Sequence, residues 1–254
     1  MAKANGIKIL AIGNSFSMDS MEYLHQMIKD FTDEKVVLGN LYIAGCSLEK
    51  HWQNAESNSA GYSYYKNTDG VWVQNPNVSI LEAVLQEDWD IITLQQNSGK
   101  SGVASEYEPF LSNLIDYVLQ NATNPGVKLA WHMTWAYQSD STHHDFVRYN
   151  NDQMVMFHEI KDTLRSAVLR LNKFAFMIPA GVAIQNARKT FGDTLTRDGY
   201  HLSIPLGRYI AGLSWLAVLT NYDYTQIQYI PEGISREQLP QIIEAVKMSV
   251  EMPQ

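Results

Sequence analysis

The chain is short of cysteine, of basic charge and of long apolar runs, and each shortage removes a class of protein. Cys46 is the single cysteine among 254 residues, so a disulfide-stapled scaffold is excluded. Nineteen Lys and Arg stand against 27 Asp and Glu, a formal net charge of -8, which leaves no basic face to collect nucleic acid or an anionic membrane. No apolar run reaches the roughly 18 residues of a spanning helix. The opening residues, MAKANG, lead into an apolar run too short for a secretion signal, so the chain as written reads as intracellular; a periplasmic or secreted protein that has lost its leader reads the same way. Also missing are a Gly-x-Gly-x-x-Gly or Walker phosphate loop, a His-Glu-x-x-His metal motif and a Gly-x-Ser-x-Gly elbow. Nothing in the sequence specifies an oligomeric state.

What is present suffices for a large core: 45% of residues are hydrophobic and 18% charged. Five short runs rich in β-branched residues, at 7–12, 36–43, 90–94, 127–134 and 174–178, are apolar throughout rather than alternating, the mark of strands buried on both faces. Helical spacing occupies 20–31, 80–86, 107–120, 150–171, 205–220 and 236–248. Strands alternating with helices predict a three-layer α/β/α sandwich around a five-stranded parallel sheet, flavodoxin-like in order, as a single domain over 1–254. Two segments break the rhythm. Residues 46–77 hold Trp52, Tyr62, Tyr64, Tyr65 and Trp72 among Asn, Ser and Gly and read as a long aromatic loop, while 135–148 is a polar stretch with His143 and His144.

Open α/β sheets bind ligands beyond the carboxyl ends of their strands. After the five runs come GNSFS, AGCSLE, QQNSG, HMTWAY and PAGVA, so a serine, a glycine, an amide and a histidine converge on one edge. Ser15 sits where the first strand passes into a helix, with its hydroxyl exposed and its N–H at a helix start. A serine hydroxyl needs an adjacent base, and the base needs a group to fix its tautomer. RDGYHLS, residues 197–203, supplies both: the Asp198 carboxylate accepts from Nδ1 of His201 and leaves Nε2 for Ser15. The N–H groups of Ser15 and Gly45 and an amide from Asn97 or Gln95 are candidate donors to a developing oxyanion.

Gly13-Asn14-Ser15-Phe16-Ser17, Gly45, Asn97 and Asp198-Gly199-Tyr200-His201 together resemble the four blocks of the SGNH, or GDSL-like, hydrolases, in matching order over nearly the whole chain. The resemblance implies a serine esterase working through a Ser15-His201-Asp198 triad and an acyl-enzyme, without metal or organic cofactor. Two departures stand out. The family usually has Asp where Asn14 stands, and Gly-x-Asn-Asp where this chain has Gln95-Gln96-Asn97-Ser98, so Gln95 and Asn97 both remain donor candidates. The ending DGYHLS and GRYIAGLSW points to a bacterial branch of the family, and the aromatic segment to a glycan or other small ester, O-acetyl above all, gripped by Trp52, Tyr62, Tyr64, Tyr65 and Trp72.

Other residues carry plainer readings. His132, at the end of the fourth run, is a pocket or packing residue. His143, His144 and Asp145 lack the three or four spaced ligands of a zinc site and read as a solvated loop. Cys46 is a small buried residue, and Ser17 and Ser98 are the rival nucleophiles. Two other functions fit the same fold: a carbohydrate-binding protein without catalysis, and a flavodoxin-like nucleotide binder, whose phosphate loop would find Phe16 in the way.

Overall fold

The computed structural model describes residues 6–252. Its sheet has seven strands in the order β4-β3-β2-β1-β5-β6-β7. They are β1 (Ile7–Gly13), β2 (Val36–Tyr42), β3 (Tyr62–Asn67), β4 (Trp72–Val78), β5 (Ile91–Leu94), β6 (Lys128–His132) and β7 (Phe176–Ile178). Each of the five apolar runs is a strand, and all five pair in parallel, with β1 at the centre between β2 and β5. The expected five-stranded parallel sheet is nevertheless incomplete, because the antiparallel hairpin β3–β4 extends it on the β2 side into a mixed seven-stranded sheet.

That hairpin, with helix α3 (Leu48–Glu56) before it, occupies the segment expected to be a loop. Of the five aromatic side chains expected to grip a ligand, all but Tyr65 serve the core instead. Tyr62 and Tyr64, two apart on β3, are 1% and 0% exposed, and Trp52 and Trp72 pack against the same core. Tyr65 points to the other face and meets Tyr42 edge-on. The alternation Tyr-Ser-Tyr is a strand signal in which tyrosine stands where valine would be obvious. β4 lies at the sheet margin with its middle exposed, and Pro76 falls near the register shift opposite Tyr62 and Tyr64, where its missing N–H costs no ladder bond.

Helices cover both faces, since β1 leads out to β2 in one direction while β5 leads to β6 and β7 in the other, and right-handed crossovers then fall on opposite sides. On one side α3, α4 (Ile80–Leu85) and α5 (Phe110–Asn121) pack together. On the other, α1 (Ser15–Met21) and α2 (Leu24–Lys29) meet α8 (Leu206–Leu219), which also packs on α7 (Ala180–Phe191) and α9 (Leu239–Glu251). The helix expected over 20–31 is therefore two, and it begins at Ser15 because the Asn14 side chain caps it by accepting from Phe16 N–H. Helix α7 has no counterpart among the expected helices: Pro179 and Gly181 look like loop residues, yet Pro179 is the N-cap, and a Cβ on Gly181 would lie 2.1 Å from the Thr134 carbonyl oxygen. α6 (Gln153–Thr163) is capped by Asp152 and loosens through a π turn, Leu164–Val168, before Asn172 ends it in the left-handed region.

Replacement of Tyr64 by Ala is expected to lower folding stability by about 3–5 kcal/mol, as for other buried aromatics, measured by urea unfolding. Two fully enclosed imidazoles, His51 beside Tyr62 and His132 at the end of β6, are pushed down to about 3 by burial from the usual 6.5. They stay neutral in the folded chain while the unfolded chain takes up protons near pH 6.5, so the unfolded state is the greater proton binder between those values. Folding stability is therefore expected to fall as the pH is lowered from about 6.5 towards 3, with a shallower fall in His132→Gln, in thermal melts across that range.

Candidate active site

The parallel strands deliver Ser15, Gly45 and Asn97 to their carboxyl edge, where a cavity of roughly 300 Å³ is also lined by His201 from the segment after α7. Another cavity, of about 330 Å³, lies at the opposite end of the strands between Ile7, Lys128 and Leu219. Among the described residues its walls contain no serine, histidine or cysteine, and the carboxyl edge is where this architecture places ligands.

The acid and the histidine form a self-contained unit. His201 Nδ1 lies 2.6 Å from Asp198 Oδ2, and the other carboxylate oxygen accepts from the N–H of His201 at 2.8 Å and of Tyr200 at 3.2 Å. Gly199 makes this turn possible: its φ of +89° is costly for other residues, and a Cβ would sit 2.8 Å from Ser141 Oγ. Burial works to raise the Asp198 pKa, but the bonds from the His201 ring and backbone outweigh it and hold the carboxyl below its ordinary value. The carboxylate thus fixes the Nδ1–H tautomer and leaves Nε2 as the ring's acceptor. Ser15 lines the same cavity at the first position of α1, and among the described residues no hydrogen bond joins its hydroxyl to His201.

Gly45 comes after β2 with a φ of +60°, and nothing lies within 4 Å of where its Cβ would be. Among the described residues its N–H has no acceptor, so the group is open to a ligand oxygen. Asn97 accepts from Lys100 N–H at 2.9 Å through Oδ1 and gives one hydrogen to Gly45 O at 3.2 Å, which leaves its second N–H. Gln95 does not reach the cavity. It is 2% exposed, and its amide donates to Asn14 Oδ1 and accepts from His132 Nδ1, both at 2.9 Å. His132 is likewise absent from the cavity: it is fully buried behind Gln95, its other nitrogen 3.2 Å from Ser20 Oγ.

Asn14 ties these pieces together. Its Oδ1 accepts from Phe16 N–H on the serine's helix and from Gln95, and its Nδ2 donates to Cys46 O in the glycine loop. A carboxylate here has no hydrogen for Cys46 O, so the Asn at this position and the Gln at 95 form one matched arrangement. Of the rival nucleophiles, Ser17 is fully buried and bonded to Asn14 O and Asn40 Oδ1, while Ser98 lines the cavity with its hydroxyl 2.8 Å from Tyr137 OH. Cys46 is 2% exposed, and burial pushes its thiol up to about 12.

The loop expected to be solvated forms part of the wall. His143 meets Tyr200 edge-on at 4.6 Å and Tyr137 at a tilt at 4.7 Å, and it stacks at 4.5 Å on His144, which stays exposed. Burial, aided by His144, lowers the His143 pKa; its Nδ1 accepts from Asp145 N–H, so the neutral ring carries its proton on Nε2. The ligating atoms of His143, His144 and Asp145 lie within 4.8 Å of one another, but Asp145 is already paired with Arg148 at 2.9 Å. Tyr42 and Tyr200 complete the wall. Neither stands among the residues that follow the strand ends, although their positions carry a signal: Tyr42 is the last residue of β2, and Tyr200 stands between the acid and the histidine.

The model of a family described as a domain of unknown function, DUF4886, matches residues 8–246. No curated protein matches. Among solved structures, a DUF4886 family protein from Bacteroides uniformis is 38% identical with a TM-score of 0.93, over 98% of this chain and 96% of that one. An acetylxylan esterase from Geobacillus stearothermophilus is 13% identical with a TM-score of 0.58, over 88% of this chain and 98% of that one. A putative GDSL-like lipase from Parabacteroides merdae is 14% identical with a TM-score of 0.56, over 85% and 97%. The last two similarities concern the fold. The chain belongs to the DUF4886 family, built on an SGNH-like α/β fold.

Proposed function

We propose that the protein is a serine esterase that removes small acyl groups, acetyl above all, from a carbohydrate or comparable neutral alcohol. The observation that carries this reading is the Asp198–His201 pair opening on the cavity that holds Ser15 and the free N–H of Gly45. Ser15 Oγ attacks the ester carbonyl while His201 Nε2 takes its proton. Asp198 keeps the imidazole in the required tautomer and stabilises the imidazolium. The N–H groups of Ser15 and Gly45 and the second N–H of Asn97 receive the charge on the carbonyl oxygen. His201 returns the proton to the departing alcohol, and water, activated by the same imidazole, releases the acid from Ser15.

Three of the structures of the Geobacillus acetylxylan esterase are described as catalytic mutants, with alanine in place of a serine, an aspartate and a histidine, the aspartate three positions ahead of the histidine. Asp198 and His201 have the same spacing. For the alcohol, Tyr42 and Tyr200 offer aromatic surface at the cavity wall, and neutral His143 offers an Nε2–H. A net charge of -8 agrees with a neutral substrate better than with a polyanion.

Ser15→Ala and Asp198→Asn are each expected to lower kcat on p-nitrophenyl acetate by about 10⁴-fold or more with the thermal melt unchanged. Asn97→Ala is expected to cost about 10²-fold or more, roughly 3 kcal/mol of transition-state stabilisation. Acetate release from acetylated xylo-oligosaccharides supports the substrate class. Hydrolysis confined to long-chain lipid esters contradicts it, and full activity in Ser15→Ala contradicts the whole reading.

A further inference from the structure

Asp19 takes no part in the reaction described above, yet this carboxylate is 1% exposed and lies beside the site. A buried charge persists only where donors replace its water. Here they come from three places. Leu202 N–H donates to Oδ2 at 2.8 Å, Arg197 Nη1 lies 3.1 and 3.2 Å from the two oxygens, and Arg208 Nε on α8 donates to Oδ1 at 2.8 Å. Arg208 also reaches Glu22 at 3.1 Å, which ties α8 to the residue that ends α1.

Two of these donors flank the acid–histidine segment. Arg197 immediately precedes Asp198, Leu202 immediately succeeds His201, and the two ends are closed on each other by Arg197 N–H to His201 O and by the Thr196–Leu202 bridge. The segment is a small closed loop, and Asp19 grips it at the neck. Asp19 stands four residues after Ser15, one helical turn along the same face of α1. One turn of one helix therefore presents the serine to the cavity where His201 lies and the carboxylate to the residue after His201.

We propose that Asp19 is a positioning residue that sets the distance and angle between Ser15 and the Asp198–His201 unit; this rests on Ser15 being the nucleophile. The bonds inside the unit run from Asp198 to His201 and Tyr200 and do not involve Asp19. Losing the Asp19 charge therefore leaves the pair whole and displaces it as a body relative to Ser15. A displacement of about 1 Å in a reacting pair costs about 10²-fold in rate. A residue that only supported the fold would change stability and leave kcat of the folded fraction alone.

The test uses the full chain with p-nitrophenyl acetate as substrate, Asp19→Asn as the main variant and Arg197→Gln as a milder one that keeps Arg208 and Leu202 N–H in place. Asp19→Asn is expected to lower kcat by about 10²-fold and Arg197→Gln by about tenfold, each with KM within about twofold of wild type. In both, the strongly deshielded proton of the short His201–Asp198 bond is expected to persist in the proton NMR spectrum, whereas Asp198→Asn removes it. The proposal is overturned by a folded Asp19→Asn with kcat within about twofold of wild type, by a change in KM alone, or by loss of the deshielded proton together with kcat. Should Asp19→Asn not fold, a kcat for Arg197→Gln within about twofold of wild type overturns it equally. Turnover surviving in Ser15→Ala removes the nucleophile assignment instead, and is distinct from these outcomes.

Discussion

Leu202 donates to Asp19 across 183 residues of sequence, and that contact, with the two guanidiniums around it, fastens the acid–histidine loop to the first helix. Ser15, Gly45 and Asn97 come from the sheet: β1, β2 and β5 are neighbours in parallel register, so the residues just past their carboxyl ends meet at one edge as a matter of topology. The acid–histidine loop has no such guarantee. It comes after the last strand and α7, and it is held against α1 by a buried carboxylate whose removal would leave Arg197 without its counter-charge and Arg208 with Glu22 alone. Asp19 is buried while Arg197 is partly open to water, so the cost of breaking the pair lies between that of a surface pair and that of a fully buried one. The close approach of α8, where a Cβ on Gly212 would lie 3.1 Å from Ser20 O, places Arg208 to complete the arrangement.

Beneath the serine lies a second buried polar structure, made of amides rather than charges. Asn14, Gln95, His132 and Ser20 run in one chain of hydrogen bonds from the glycine loop into the interface between the sheet and α1. Burial keeps His132 neutral, and its Nδ1–H donates to Gln95 while Nε2 accepts from Ser20, so each member has a defined direction. The departures from the usual SGNH pattern, Asn14 and Gln95, fall together in this chain. They account for each other: an amide at 14 supplies the hydrogen for Cys46 O, and an amide at 95 reaches back to Asn14 from the next strand.

The central strands are legible in the sequence because continuous apolar runs leave no other home than a sheet covered on both faces. The hairpin is not, since β3 alternates tyrosine with Ser, Lys and Asn, and its aromatic content suggests a ligand where the fold needs core. α7 is hidden by Pro179 and Gly181, residues that mark turns in isolation but here cap a helix and let it touch the Thr134 carbonyl. At the site, the strand-end rule and the spacing of Asp198 and His201 name Ser15, Gly45, Asn97 and His201 as candidates, and the structure sets all four on one cavity. The same rule names Gln95 and His132, whose side chains turn inward instead; position after a strand does not say which way a side chain faces. Asp19 gives no sequence signal at all, because its partners at 197, 202 and 208 become neighbours only when the chain closes.

The proposed esterase activity requires Ser15 to carry the acyl group between the two halves of the reaction. Rapid acid quenching of the protein mixed with an activated acetyl ester, with peptide mass mapping of the quenched chain, reads this directly. Acetyl on the Ser15 peptide during turnover, and none in Ser15→Ala, is the result predicted. Acetyl on Ser17, Ser98 or Cys46 instead, or steady hydrolysis with no acylated peptide, contradicts it.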